Sequence, residues 1–192
     1  MSLKALLILL FTSTSTITTF AQEAQGVLSS PNDWKSELMV FPLGFAPSID
    51  FTGIEDLRFR SSWSDSTSQE FWTYTFVWYI DNKFNCTETN LSEILNSYYD
   101  GLMGIDERNK EAEIKLDKTT SLIHKSKDAY SGEIRVYDAF FTKKYMTLNV
   151  KITNAICTQD NKQLIVFELS TQDFENAVWD YFNEIELTVN CD

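Results

Sequence analysis

The stretch Glu70-Phe-Trp-Thr-Tyr-Thr-Phe-Val-Trp-Tyr-Ile80 decides the fold class. Its alternate residues Trp72, Tyr74, Phe76, Trp78 and Ile80 form one apolar, mostly aromatic face, with Phe71, Thr73, Thr75, Val77 and Tyr79 on the other. Successive side chains of a strand point to opposite faces, and aromatic and β-branched residues fit that pleated surface. The spacing therefore predicts a strand over 70–80 whose aromatic face is turned to the core.

Working outward, residues 37–41 and 55–60 read as shorter strands before it, and 111–116, 119–124, 132–138, 146–156 and 163–169 as strands after it. In 146–156, Met146, Leu148, Val150, Ile152 and Ile156 are expected to face the core, with Thr147, Lys151 and Thr153 facing out. Asp160-Asn-Lys162 supplies the turn of a hairpin between the last two strands. Between the two groups of strands, Leu91, Ile94, Leu95, Tyr98, Leu102 and Ile105 recur at helical spacing. Asn90 and Glu93 resemble a capping box at the start of that helix, and Gly101 and Gly104 mark its end. Phe174, Val178, Trp179, Phe182 and Ile185 give a second amphipathic stretch. Runs of strands broken by only two helices exclude a doubly wound parallel sheet. The expected fold is α+β: an antiparallel sheet of about six or seven strands with two packed amphipathic helices, 90–105 and 173–186.

Composition narrows the function classes. The 192 residues carry 16 Lys and Arg against 28 Asp and Glu, a formal net charge of −12. An electrostatic nucleic-acid binder needs clustered Lys and Arg to displace counterions from phosphates, so that class is excluded. With 43% hydrophobic and 14% aromatic residues the chain can offset its ordering entropy by burial, which excludes disorder.

Met1 to Ala21 reads as a secretory signal peptide: Lys4, then the apolar run Ala5–Phe11, then small polar residues ending in Thr19-Phe-Ala21. The apolar run is too short to span a bilayer, so the protein is not expected to be an integral membrane protein. The localisation implied is periplasmic or secreted, after cleavage near Ala21. The leader carries Lys4 and no acid, so the exported chain is more acidic still. Residues 22–36 read as a loose N-terminal segment and 37–192 as a single globular domain, with no internal repeat. Three cysteines, Cys86, Cys157 and Cys191, allow one intrachain bridge. Cys157–Cys191 is the favoured pair because it would pin the C-terminus; sequence alone leaves the other pairings open.

The chemistry-bearing residues are sparse. His124 is the single histidine and has no nucleophile elbow near it. With one histidine and no Cys-x-x-Cys, a zinc site is disfavoured, and no phosphate-cradling Gly-rich loop exists. Asp81 to Asn85 fails the calcium-loop pattern. No metal or cofactor is expected. Carboxylate pairs abound, but in an acidic chain most are solvated surface. Glu55 and Glu70 are the candidates if the protein were a small carboxylate-dependent hydrolase.

Aromatic residues are the remaining lead. Trp72, Trp78 and Trp179 lie on core-facing stripes and read as structural. Trp63 sits in the polar loop Ser61-Ser-Trp-Ser-Asp65, where packing gives no reason for it. The loop Phe41-Pro-Leu-Gly-Phe-Ala-Pro-Ser-Ile49 is too hydrophobic to stand free in water. Phe45, Ile49, Arg60 and Trp63 are the expected recognition surface.

That loop, together with Gly53-Ile-Glu-Asp-Leu-Arg-Phe59, Glu70 to Trp78, Tyr137-Asp-Ala-Phe-Phe-Thr142 and Leu164 to Ser170, resembles a family of uncharacterised exported proteins of Gram-negative bacteria. The resemblance implies no activity and carries over no catalytic residue. A closing strand ending in Ser before an amphipathic stretch is also similar to the PsbP/Mog1-type sandwich. The sequence thus favours a binding or interaction module of the cell envelope, with a protein or a small ligand as partner, over the hydrolase.

Overall fold

The structure, a computed structural model, describes residues 25–81 and 83–191; the expected signal peptide lies outside them. In chain order the strands are β1 (Leu28–Ser29), β2 (Lys35–Val40), β3 (Gly53–Phe59), β4 (Tyr74–Ile80), β5 (Thr120–Ser126), β6 (Ala129–Tyr137), β7 (Tyr145–Cys157), β8 (Lys162–Ser170) and β9 (Glu186–Leu187). Helices α1 (Glu88–Met103) and α2 (Ile105–Glu111) fall between β4 and β5, and a 3-10 helix spans Ala177–Glu184. The protein is α+β, as its strand and helix pattern predicts. Seven strands form one sheet in the order β2-β3-β4-β8-β7-β6-β5, every neighbour antiparallel. Two meanders are thus joined edge to edge at β4 and β8, and α1 carries the chain from the centre to the far edge. β1 and β9 form a separate two-stranded ribbon.

β4 is buried along its whole length, on both faces. Its face of Tyr74, Phe76, Trp78 and Ile80 enters the main core with α1, β8 and β6. Val77 and Tyr79 enter a second core under the N-terminal segment and Cys157. The alternation of 74–80 is therefore realised, with each fully buried large side chain contributing roughly 2 kcal/mol of transfer free energy.

The strand begins at Tyr74 rather than Glu70, because Trp72 has φ 52° and residues 68–73 form tight turns. That turn breaks the expected alternation, so Phe71 joins Trp72 in the main core instead of facing away.

Other boundaries also differ. α1 is capped by Thr87, whose hydroxyl accepts the Asn90 amide at 3.1 Å, while the Asn90 side chain donates to the Asn85 carbonyl at 2.8 Å. Gly104 ends the helix in the left-handed conformation, φ 64°. The expected strand 111–116 is absent: α2 runs to Glu111, and Asn109 brackets the Leu116 backbone at 2.7 and 2.9 Å. Ile114, at 86% exposed, has no face to pair against. The C-terminal amphipathic stretch is a 3-10 helix capped by Asn176, consistent with Trp179, Phe182 and Ile185 recurring every third residue. In β7, Leu148, Val150 and Ile152 are buried as expected, but Ile156 is exposed.

The N-terminal segment is packed rather than loose. The Asp56 carboxylate, buried and paired with Arg58, accepts the amides of Val27 and Leu28 at 2.7 and 2.8 Å. Cys157 and Cys191 form the disulfide, joining the end of β7 to the C-terminal tail across 34 residues. No helix among the described residues is long and apolar enough to cross a membrane.

Candidate functional site

Three loops meet over the β2–β3–β4 end of the sheet and the C-terminal half of α1. The first, between β2 and β3, lies directly on the helix: a Cβ at Gly101 would stand 2.1 Å from the Phe45 carbonyl oxygen, so only glycine permits this approach. The contact sets the Phe45 ring edge-on to Tyr98, centroids 5.1 Å apart.

The second loop, 61–72, is closed by the Trp72 amide donating to the Trp63 carbonyl at 2.8 Å. Glu70 anchors it by accepting from the Arg60 guanidinium at 2.7 and 3.0 Å and from the Ser62 amide at 3.1 Å. The third loop, 138–144, is organised by Asp138. Its carboxylate accepts the amides of Phe140 and Phe141, both at 3.0 Å, and the amide and hydroxyl of Thr142 at 2.7 and 2.8 Å. Burial acts to raise the Asp138 pKa, but these bonds outweigh it and hold the carboxyl below its usual range. Phe140 and Phe141 are left 48% and 37% exposed.

Between the loops lies a cavity of about 540 Å³, a size typical of small-molecule sites. The sheet contributes Met39, Leu57, Phe59 and Tyr74; α1 contributes Tyr98 and Leu102; the loops contribute Phe45, Trp63, Trp72, Phe140 and Phe141. Glu37, exposed on edge strand β2, is the one carboxylate in the lining. Trp63 is the hub of the wall, packing on Phe59 at 4.6 Å, Phe141 at 5.3 Å and Trp72 at 5.6 Å.

The polar ends of the lining tyrosines run into the core. The Tyr74 and Tyr99 hydroxyls are hydrogen-bonded to each other. Tyr98 and Trp78 both donate to Glu55, the latter at 3.1 Å to Oε1, while Glu55 Oε2 has no partner among the described residues. Burial raises the Glu55 carboxyl to about 7 against the pull of these two donors, and Glu37 adds to the rise.

The four residues expected as a recognition surface are divided by this geometry. Phe45 and Trp63, both half-buried, line the same cavity. Ile49 does not join them: it is 3% exposed and packs in the core beneath its loop. Arg60 does not either. It lies on the opposite face of the sheet, between the rings of Trp34 at 5.0 Å and Tyr181 at 4.2 Å, and bridges Asp33, Glu70 and Glu184. It is a strut fastening the C-terminal segment to the sheet.

Glu55 and Glu70 share no cleft, since the first is sealed in the core and the second is spent on Arg60. His124 is exposed on β5. Cys86 is half-buried, its thiol pushed up to about 11 by burial. Among the described residues, no group of three His, Cys, Asp or Glu could hold a metal ion. A smaller cleft of about 360 Å³ lies on the other side of Phe45, lined by Asp100, Asp106 and Glu107, but Lys118 and Lys110 pair with these acids.

Sequence reasoning missed Phe140, Phe141, Phe59 and Glu37. The signal for the first two was present: adjacent phenylalanines beside an aspartate, outside any alternating pattern, as with Trp63. What the arrangement can do is hold an apolar solute against ring faces, with one carboxylate at hand. Comparison with known protein families, curated proteins and solved structures finds no match.

Proposed function

We propose that this is an exported binding protein of the cell envelope or exterior that holds a small, largely apolar molecule in the aromatic cavity. The observation that carries the reading is the cavity itself, with about 540 Å³ walled almost wholly by apolar and aromatic side chains from three separate loops and the sheet. A concave, mostly apolar space of this size, bordered by the exposed Phe140 and Phe141, is the usual form of a small-molecule site. Export is supported by the Lys4-led apolar leader and by the Cys157–Cys191 disulfide, which persists in oxidising compartments.

The test is a fluorescence titration of the chain lacking residues 1–21 with N-phenyl-1-naphthylamine, a neutral apolar fluorophore. Saturable binding is expected, weakened about tenfold by Trp63→Ala or Phe141→Ala, as for a central aromatic contact. Leu122→Ala, on the far edge strand, serves as control and should bind as the parent does. Absence of saturable binding, or binding indifferent to both wall substitutions, overturns the reading.

A further inference from the structure

The ligand's charge is also inferable, on the assumption that the cavity reading holds. We propose that the ligand is a cationic amphiphile, its apolar body inside the cavity and an ammonium-type group at the mouth beside Glu37. Three observations carry this. Among the described residues, Glu37 is the only charged side chain lining the cavity, and it is exposed. Among the described residues its carboxylate enters no hydrogen bond or ion pair, and Lys35, two positions along the same strand, is not paired with it. Eight of the other eleven lining residues are aromatic, and the faces of such rings carry negative potential and attract cations within about 6 Å of the ring centre.

Fixed charge and ring quadrupoles therefore have the same sign, and both select a positive group. The surroundings reinforce the choice. The chain as a whole carries a net charge of −12. An anionic amphiphile of equal length would enter against that field.

The experiment uses three probes with the same tail, all below their micellar concentrations: decyltrimethylammonium, decanol and decyl sulfate. Each is titrated calorimetrically into the chain lacking residues 1–21, at low and at moderate salt, for the parent and for Glu37→Gln. Glu37 lies on an exposed edge strand, so this substitution leaves the core intact, and circular dichroism verifies it.

The ammonium is expected to bind about tenfold tighter than decanol, the ring faces and the carboxylate each contributing a few-fold. The sulfate should bind weakest. Glu37→Gln should cost the ammonium about three- to fivefold and leave decanol unchanged, and salt should weaken the ammonium alone. Equal affinity for decanol and the ammonium, or preference for the sulfate, overturns the charge inference while the cavity reading stands. If no probe binds, both fail.

Discussion

The indole of Trp63 meets that of Trp72 edge-on, ring centroids 5.6 Å apart and planes at 90°, and the same two residues close their loop backbone to backbone at 2.8 Å. Both rings line the cavity, but they differ in burial: Trp72 is 2% exposed and part of the main core, while Trp63 is only half-buried against it. Truncating them should therefore cost different things. Trp72→Ala is expected to lower unfolding free energy by about 4 kcal/mol, in the range for a fully buried aromatic, and Trp63→Ala by about 2 kcal/mol. Chemical denaturation followed by far-ultraviolet circular dichroism measures both. Equal losses would mean that Trp63 contributes to the core as fully as Trp72 does.

Glu55 makes stability fall as pH rises. Its carboxyl titrates near 7 in the folded protein, against 4.5 ordinarily, so the folded state holds its proton more tightly than the unfolded chain does. The stability this supplies is complete below pH 4.5 and is lost as pH climbs to 7, by about 3 kcal/mol. Glu55→Gln keeps an acceptor for the Trp78 indole and cannot ionise. Over that window its stability should be flatter than the parent's by about the same amount. Urea midpoints at pH 4.5, 6 and 7.5 compare the two; parallel slopes would remove Glu55 as the cause.

The disulfide fastens the second layer. Cys157 lies in the cluster with Val27, Leu28, Ile54 and Tyr79, and Cys191 packs against it from the tail. Closing 34 residues constrains the unfolded chain, so Cys157→Ser with Cys191→Ser should cost about 3–4 kcal/mol. The loss is expected to loosen the β1–β9 ribbon first, because that ribbon is only two residues wide on each strand. Hydrogen exchange should show faster exchange at Thr188, whose amide donates to Val27, with β4 amides still protected. Uniform acceleration would contradict this layered view.

The strands that alternate two-sidedly were legible from sequence, because a central strand such as β4 needs apolar residues on both faces and nothing else satisfies it. The helix α1 was legible for the same reason, on a different period. The turn at Trp72 was not: positive φ at a tryptophan is imposed by tertiary closure of 61–72, and no local residue type announces it. Half of the site was legible. Phe45 and Trp63 stood out because hydrophobic residues in loops need an external reason. Arg60 falls outside the site because the β3 alternation, which puts residues 55, 57 and 59 on one face, places it one residue on, on the other. Glu37 was invisible, since nothing marks an exposed glutamate until an aromatic cavity is seen beside it.

Asp138 works in the opposite sense to Glu55. Its carboxyl is held below its ordinary value of 3.8 by hydrogen bonds that exist only in the folded loop. The stability it supplies is therefore present at neutral pH and is lost as pH falls below about 4. Glu55, whose contribution is lost on the alkaline side, and Asp138 thus both support the fold fully only in a mildly acidic window. Asp138→Ala removes all four bonds at once and frees Phe140 and Phe141, so it should cost about 2–3 kcal/mol and weaken N-phenyl-1-naphthylamine binding with it. Asp138→Asn separates the two effects: it retains one acceptor oxygen, cannot ionise, and should abolish the acid limb of the stability profile while keeping most of the binding. A profile still falling below pH 4 in Asp138→Asn would show that another carboxylate governs the acid limb.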